Sequence, residues 1–223
     1  MVRGEDPPEG TVVIADFQKL GRGQGDHAWH SEKGQNLLMS VLLYPEFLSA
    51  SRQFQLSMLT SLALCDTLQD LDIPSLIKWP NDILTPQGKI AGILIEHGIM
   101  GGHLSHSIIG IGLNVNQLRF PSFPVRATSM AIERPEQYDV IQLSEQLAEK
   151  LAARYQQLQV GMNEPFRREY LGRLFGLDEP LGFVCSDKAF TGVIRGISEL
   201  GELLVEANGT TRPYGMHTLK LSI

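Results

Sequence analysis

The stretch IAGILIEHGIMGGHLSHSIIGIGL, residues 90–113, decides how this chain folds. Ile90 to Ile99 and His103 to Leu113 are apolar runs, and Gly101-Gly102 between them is a turn signal, so the two read as a strand hairpin. Upstream, Ile77 to Trp79 and Ile83-Leu84 read as short strands, with Gln87-Gly88 turning the chain into Ile90. Thr11 to Phe17 is a further strand, and Asn36 to Tyr44 is apolar enough to be buried on both faces. Phe47 to Leu71 is expected to be helical, because Phe54, Met58 and Leu62 recur at helical spacing and Pro74 stops the run. Downstream, Val140 to Gln159 carries Leu143, Leu147, Leu151, Tyr155 and Leu158 on one stripe, with Glu145, Glu149 and Lys150 off it. A second helix is expected over Pro165 to Leu174. Between the hairpin and these helices, Gln117 to Ala127, with Pro121 and Pro124, is an irregular connection of the kind that closes over ligands. After Gly176 the pattern changes to short strands, Leu181 to Cys185, Phe190 to Ile197, Leu203 to Glu206 and Thr211 to Tyr214. Turns at Asp187-Lys188, Leu200-Gly201 and Asn208-Gly209 punctuate them, the mark of a small β-barrel. The class is α+β, with a larger domain over residues 1–175 and a smaller one over 176–223.

The composition narrows the function. Among 223 residues, 43% are hydrophobic and 20% charged, the balance of a globular protein with a substantial core. A net charge of -6 disfavours a broad basic surface for nucleic acid, and no DNA binding is expected. No apolar run approaches a membrane span, and the first residues show no signal-peptide core, so a cytoplasmic protein away from the membrane is expected. Cys65 and Cys185 lack the spacing of a zinc site or a disulfide framework and read as buried thiols. The six histidines lack a metalloenzyme's paired helical spacing, and no protein-held metal site is expected.

Three motifs can carry chemistry. In Gly21-Arg22-Gly23-Gln24-Gly25-Asp26-His27-Ala28-Trp29 the glycines let backbone N–H groups approach an anion, and Arg22 supplies a permanently charged fork. Alone, the pattern is that of an ordinary surface loop, lacking both a P-loop ending and the third glycine of a dinucleotide fingerprint. Lys78-Trp79-Pro80-Asn81-Asp82 presents two polar side chains at a turn. Lys89, at the mouth of a buried strand, is either a snorkelling surface residue or a phosphate ligand. Asn114 and Asn116 end the hairpin, where capping of their own backbone and ligand binding are comparable readings.

Taken together these residues resemble the catalytic module of biotin protein ligases. The resemblance rests on Gln18 ahead of the loop, then Trp29, Ser31, Gly34, Asn36 and Leu37, then Lys78 to Asp82. Lys89-x-x-Gly92-Ile93-Leu94-x-Glu96 and Gly110-x-Gly112-x-Asn114-x-Asn116 follow in the same order. It covers the chain from about Thr11 to the C terminus. It implies a larger domain similar to class II aminoacyl-tRNA synthetases, with a mixed or antiparallel sheet, and a small SH3-like C-terminal barrel. It also implies that biotin and MgATP form biotinyl-5′-AMP, whose acyl group passes to a lysine of a biotin carboxyl carrier protein. Biotin contacts are then implied for Gln18, Gly21, Arg22, Gly23, Trp29, Lys89 and Gly92. ATP contacts are implied for Arg22, Gln24, Trp29, Asn81, Lys89 and Asn114, with Mg²⁺ held mainly by the phosphates. Arg22, Lys89 and Mg²⁺ are then the candidate catalytic cations, and Asp82 is expected to orient or deprotonate the acceptor lysine.

The match has gaps. Gln24 stands where many members carry a second arginine, and Asp26 and His27 replace glycine and a basic or amide residue. Gln18 lies too near Met1 for the Ser/Thr-Thr-Asn segment that members place about twenty residues before the glutamine, so either the chain starts late or another element is expected to complete the pocket. The helix-turn-helix of ligases that double as repressors is also missing, so the monofunctional type is expected. A lipoate ligase or lipoyl transferase, and a non-catalytic biotin- or nucleotide-binding relative, are the rival readings. A homodimer is compatible with the sequence, because a pairing edge strand and a covered one look alike.

Overall fold

The structure, a computed structural model, describes residues 7–25, 28–216 and 218–222. Asp26 and His27 therefore lie outside the described residues. The hairpin of residues 90–113 is the spine of the fold: β7 (Gly88–Met100) and β8 (His103–Leu113) pair antiparallel from Ala91↔Leu113 out to Met100↔His103. Around it, β4 (Leu37–Leu43) pairs with β8 and β1 (Val12–Ile14) with β4, while β6 (Asp82–Thr85) pairs with β7 and β5 (Leu76–Lys78) with β6. The result is a six-stranded antiparallel sheet in the order β1-β4-β8-β7-β6-β5.

Alternation divides this sheet into two faces. Ala91 and Ile93 of β7, with Ile109, Ile111 and Leu113 of β8, point to a core shared with the helices α1 (Phe54–Asp70) and α3 (Val140–Gln159). The other face carries Gly92, Leu94, Glu96, Ile108, Gly110 and Gly112, and there the chain lays its glycine loop. That loop contains a hairpin of its own, β2 (Gly21–Arg22) paired with β3 (Ala28–Trp29), which glycine-rich sequence gave no reason to expect.

Helix α1 starts at Phe54 rather than Phe47. The backbone of residues 48–50 is committed elsewhere, since Ala50 N–H donates to Gly102 O at 2.9 Å and Leu104 N–H to Leu48 O at 3.0 Å, tying this segment to the hairpin turn. α3 matches its expected span; Asp139 caps it by accepting from the N–H groups of Ile141 and Gln142, and its stripe from Leu143 to Leu158 is buried. α2 (Met130–Glu133) was not foreseen, and α4 (Asn163–Gly172) ends two positions before the expected Leu174. Beyond it, β9 (Pro180–Cys185), β10 (Lys188–Ile197), β11 (Leu203–Ala207), β12 (Thr210–Tyr214) and β13 (Lys220–Ser222) form a five-stranded sheet in the order β12-β11-β10-β9-β13. β13 escaped the sequence reading because three residues give no alternation to recognise. Cys65 is buried as expected, but Cys185 is only partly so.

The two sheets share one hydrophobic core, in which Phe183, Ile194, Ile197, Leu203 and Val205 join the helices and β-strands of the larger sheet. Trp79 fastens them, donating from Nε1 to Gly201 O at 2.9 Å. Among the described residues, no helix is long and apolar enough to cross a membrane.

Candidate active site

The strand registers line up a single row across the sheet: Leu38, Gly112, Gly92, Asp82 and Lys78 are successive cross-strand partners from β4 to β5. Two of the five are glycines, and Trp29 explains why. A Cβ at Gly112 would overlap the indole, and one at Gly92 would come within 3.1 Å of its Cζ3, so the ring lies directly on sheet backbone. The glycine loop is thus pressed against the row by its own tryptophan.

Lys89 joins the row through a β-bulge. Leu84 pairs with Lys89 but Ile83 pairs with Ala91, so Ile90 is the additional residue. The bulge breaks the alternation and lets Lys89 share a face with Gly92 rather than with Ala91; a Cβ on Gly92 would sit 3.5 Å from the Lys89 ammonium. That ammonium lies 2.5 Å from Asp82 Oδ1 and 5.7 Å from the centre of the Trp29 ring, while Lys78 Nζ meets Asp82 Oδ2 at 3.2 Å. One mostly buried carboxylate is therefore shared by two lysines.

Above the row, Arg22 makes a two-pronged ion pair with Glu96, at 3.1 Å and 2.8 Å. Gln24 donates to the sulfur of Met216 at 3.5 Å, so the glycine loop also touches the connection between β12 and β13. Asn36 anchors the far end of the loop. Its Nδ2 donates to Ser31 Oγ and Gln117 Oε1, and its Oδ1 accepts from Val115 N–H. Ser31 and Asn36, part of the motif in the sequence, are thereby scaffold for Trp29.

Beneath the loop is a cavity of about 460 Å³. The structure brings Gln18, Arg22, Gly23, Gln24, Trp29, Asn81, Asp82, Lys89 and Gly92 to its wall, nearly the whole set expected from sequence. Gly21 lines the outer side of the loop. Asn114 is not on the wall: it is 3% exposed, and its Nδ2 donates to Thr128 O while its backbone binds Ile90 and Met130. Its Nδ2 ties the residue 114–130 connection together, a bond across fourteen residues rather than a cap on its own backbone, and its Oδ1 is buried without a hydrogen-bond partner among the described residues. Asn81 does line the cavity, although its Nδ2 also braces Ile93 O at 2.8 Å. Lys78, Glu96, Gly112 and Lys220 belong to the site and were not called. The first three stand in the quoted motifs, and a strand register would have placed them; nothing local marks Lys220.

Among the described residues the cavity wall is positive in a molecule of net charge -6, since Arg22, Lys78, Lys89 and Lys220 face Asp82 and Glu96. Both carboxylates are already paired. Among the described residues no group of three or more His, Cys, Asp or Glu side chains is placed to hold a metal ion.

The site is thus an antiparallel sheet whose glycine row is capped by a tryptophan-anchored loop and flanked by lysines. The biotin/lipoate A/B protein ligase family model matches residues 2–114, and the chain belongs to this family. It is 31% identical over 206 residues to the biotin–[acetyl-CoA-carboxylase] ligase of Paracoccus denitrificans, covering 86% of this chain and 82% of that protein. It is 32% identical over 206 residues to the bifunctional ligase/repressor BirA of Bacillus subtilis, covering 90% of this chain; the chain spans 63% of that relative's length. The biotin protein ligase from Aquifex aeolicus, solved in complex with biotin and ATP, superposes with a TM-score of 0.83 at 25% identity, over 97% of this chain and 90% of that one.

Proposed function

We propose that this protein is a biotin protein ligase, which joins biotin to a lysine of a biotin carboxyl carrier protein through biotinyl-5′-AMP. The observation that carries the reading is the positive cavity on the glycine row, with Lys89 aimed into it by a bulge. Joining a carboxylate to a phosphate brings negative charges together, and preorganised cations are the device that lowers that barrier. Lys89 leaves Asp82 for the biotin carboxylate and α-phosphate, Arg22 exchanges Glu96 for phosphate oxygens, and MgATP brings its own cation. Gln18, Gly21 to Gly23, Trp29 and Gly92 enclose biotin; Gln24 and Asn81 lie on the nucleotide side. Once Lys89 has moved, Asp82 Oδ1 is open to the acceptor lysine.

The glycine loop, held by Trp29 below and by Glu96 and Met216 around it, keeps water from the intermediate. The larger sheet with its helices is read as the class II synthetase-like domain over 1–175. The five-stranded sheet is read as the SH3-like domain over 176–223, and the acidic net charge supports a protein that acts on carrier protein rather than on DNA.

The reading is tested by incubating a purified biotin carboxyl carrier domain with this protein, MgATP and biotin, then measuring the carrier's intact mass. One biotinyl group on one lysine is expected, and a carrier whose mass stays unmodified at saturating biotin contradicts the proposal.

A further inference from the structure

Lys78 ends the row Leu38, Gly112, Gly92, Asp82, Lys78, one strand farther from the glycine loop than Asp82. Its side chain is 15% exposed, and that of Asp82 13%. Burying an ammonium is costly unless it is paired, and a single carboxylate balances a single ammonium. Two lysines share the single carboxylate of Asp82, so one ammonium is available to an anion that enters the cavity. The geometry decides which lysine is spare. Lys78 is the direct register partner of Asp82 in β5 and β6, fixed across the turn that joins them. Lys89 comes from the bulge, is 29% exposed, and stands beside Trp29 and Gly92 on the cavity side. The two oxygens of Asp82 thus face different partners: Oδ2 faces Lys78, and Oδ1 faces the cavity through Lys89.

We propose that Lys78 is a positioning residue for acyl transfer, clamping Asp82 Oδ2 so that Oδ1 is the oxygen that Lys89 vacates and the acceptor amine then takes. This rests on the biotin-ligase reading above. In the transfer step the acceptor ammonium gives one proton to Asp82 Oδ1 and on to water, and its nitrogen forms the C–N bond to the acyl carbon. The C–O bond to AMP breaks, AMP leaves with that electron pair, and the second nitrogen proton is lost to solvent. Without Lys78, nothing on the β5 side fixes the plane of the carboxylate, and the acceptor loses a fixed partner.

The test compares the wild type with Lys78→Met, Lys78→Arg, Asp82→Asn and the Lys78→Met/Asp82→Asn double variant, using the full chain. Two rates are read: biotin-dependent exchange of labelled pyrophosphate into ATP, and single-turnover transfer from preformed biotinyl-AMP to the carrier domain. Lys78→Met is expected to slow transfer by roughly tenfold more than it slows exchange, the scale of a misplaced reacting group. Lys78→Arg restores most of the difference, and the double variant transfers no more slowly than Asp82→Asn alone. Should Lys78→Met fail to fold, Lys78→Gln takes its place in the same comparison. Equal losses in both rates, or losses that multiply in the double variant, overturn the assignment of Lys78. A wild type without biotin-dependent exchange overturns instead the biotin-ligase reading on which it rests.

Discussion

At the scale of single residues, the site is a set of side chains whose partners are chosen by register. Trp29 sits on Gly112 and Gly92 because those two positions are cross-strand partners and neither has a Cβ. Gly112→Ala would drive a methyl group into the indole, an overpacking that costs on the order of 1–3 kcal/mol. Displacing the ring is the easiest relief, so the KM for biotin in pyrophosphate exchange is expected to rise about tenfold, the factor equivalent to 1.4 kcal/mol. A KM equal to the wild type's in a folded variant would show that Trp29 does not wall the substrate. Arg22, Lys89 and Asp82 were legible in the sequence because cation, glycine and carboxylate stand in recognisable order. Their partners were less so: that Asp82 is shared by Lys78 and Lys89, or that Arg22 is held by Glu96, follows from strand pairing and a bulge, neither of which a linear pattern encodes. Asn114 was legible only as a pair of alternatives, since an asparagine after a strand looks the same whether it meets a ligand or a neighbouring carbonyl; its Nδ2 meets Thr128 O.

Between the elements, the helices behind the sheet are stitched by charge as well as by core packing. Arg154 of α3 reaches Asp66 of α1 at 2.6 Å and Glu169 of α4 at 2.5 Å, and Arg173, just past α4, meets Asp66 at 3.0 Å. The hydrogen bond from Arg154 holds the Glu169 carboxyl below its ordinary 4.5, against the opposing effect of burial and with help from the charges of Arg154 and Arg173. A carboxyl depressed in the folded state adds stability above its unfolded value, and that stability is lost as pH falls through the folded value. Glu169→Gln is therefore expected to melt roughly 2–4 °C below the wild type at pH 7. The gap should close as the pH is lowered below 4.5, where the wild-type carboxylate itself takes up a proton. A gap that stays constant into acid would assign the effect to packing alone. The long amphipathic α3 and the residue 90–113 hairpin were readable from periodicity, being many residues long. β2, β3, α2 and β13 were not, because two to four residues carry no period and are held by what they pair with.

Over the whole molecule, the two sheets act as one body around the cavity. Trp79, from the turn that carries Asn81 and leads into Asp82, hydrogen-bonds Gly201 in the turn between β10 and β11, and Gln24 of the glycine loop meets Met216. That the tail is a strand-rich unit was plain from its turn dipeptides; that it leans on the glycine loop was not, since contacts between residues 192 apart leave no local signal. The central claim is that this joined cavity activates biotin as an acyl adenylate. It is tested most directly by mixing the full chain with MgATP and inorganic pyrophosphatase, then following phosphate release with biotin, with lipoate or with neither. Release that needs biotin, is not replaced by lipoate, and falls by about 10²–10³ in Lys89→Met is the predicted result. Release supported by lipoate instead, or by neither acid, would contradict it.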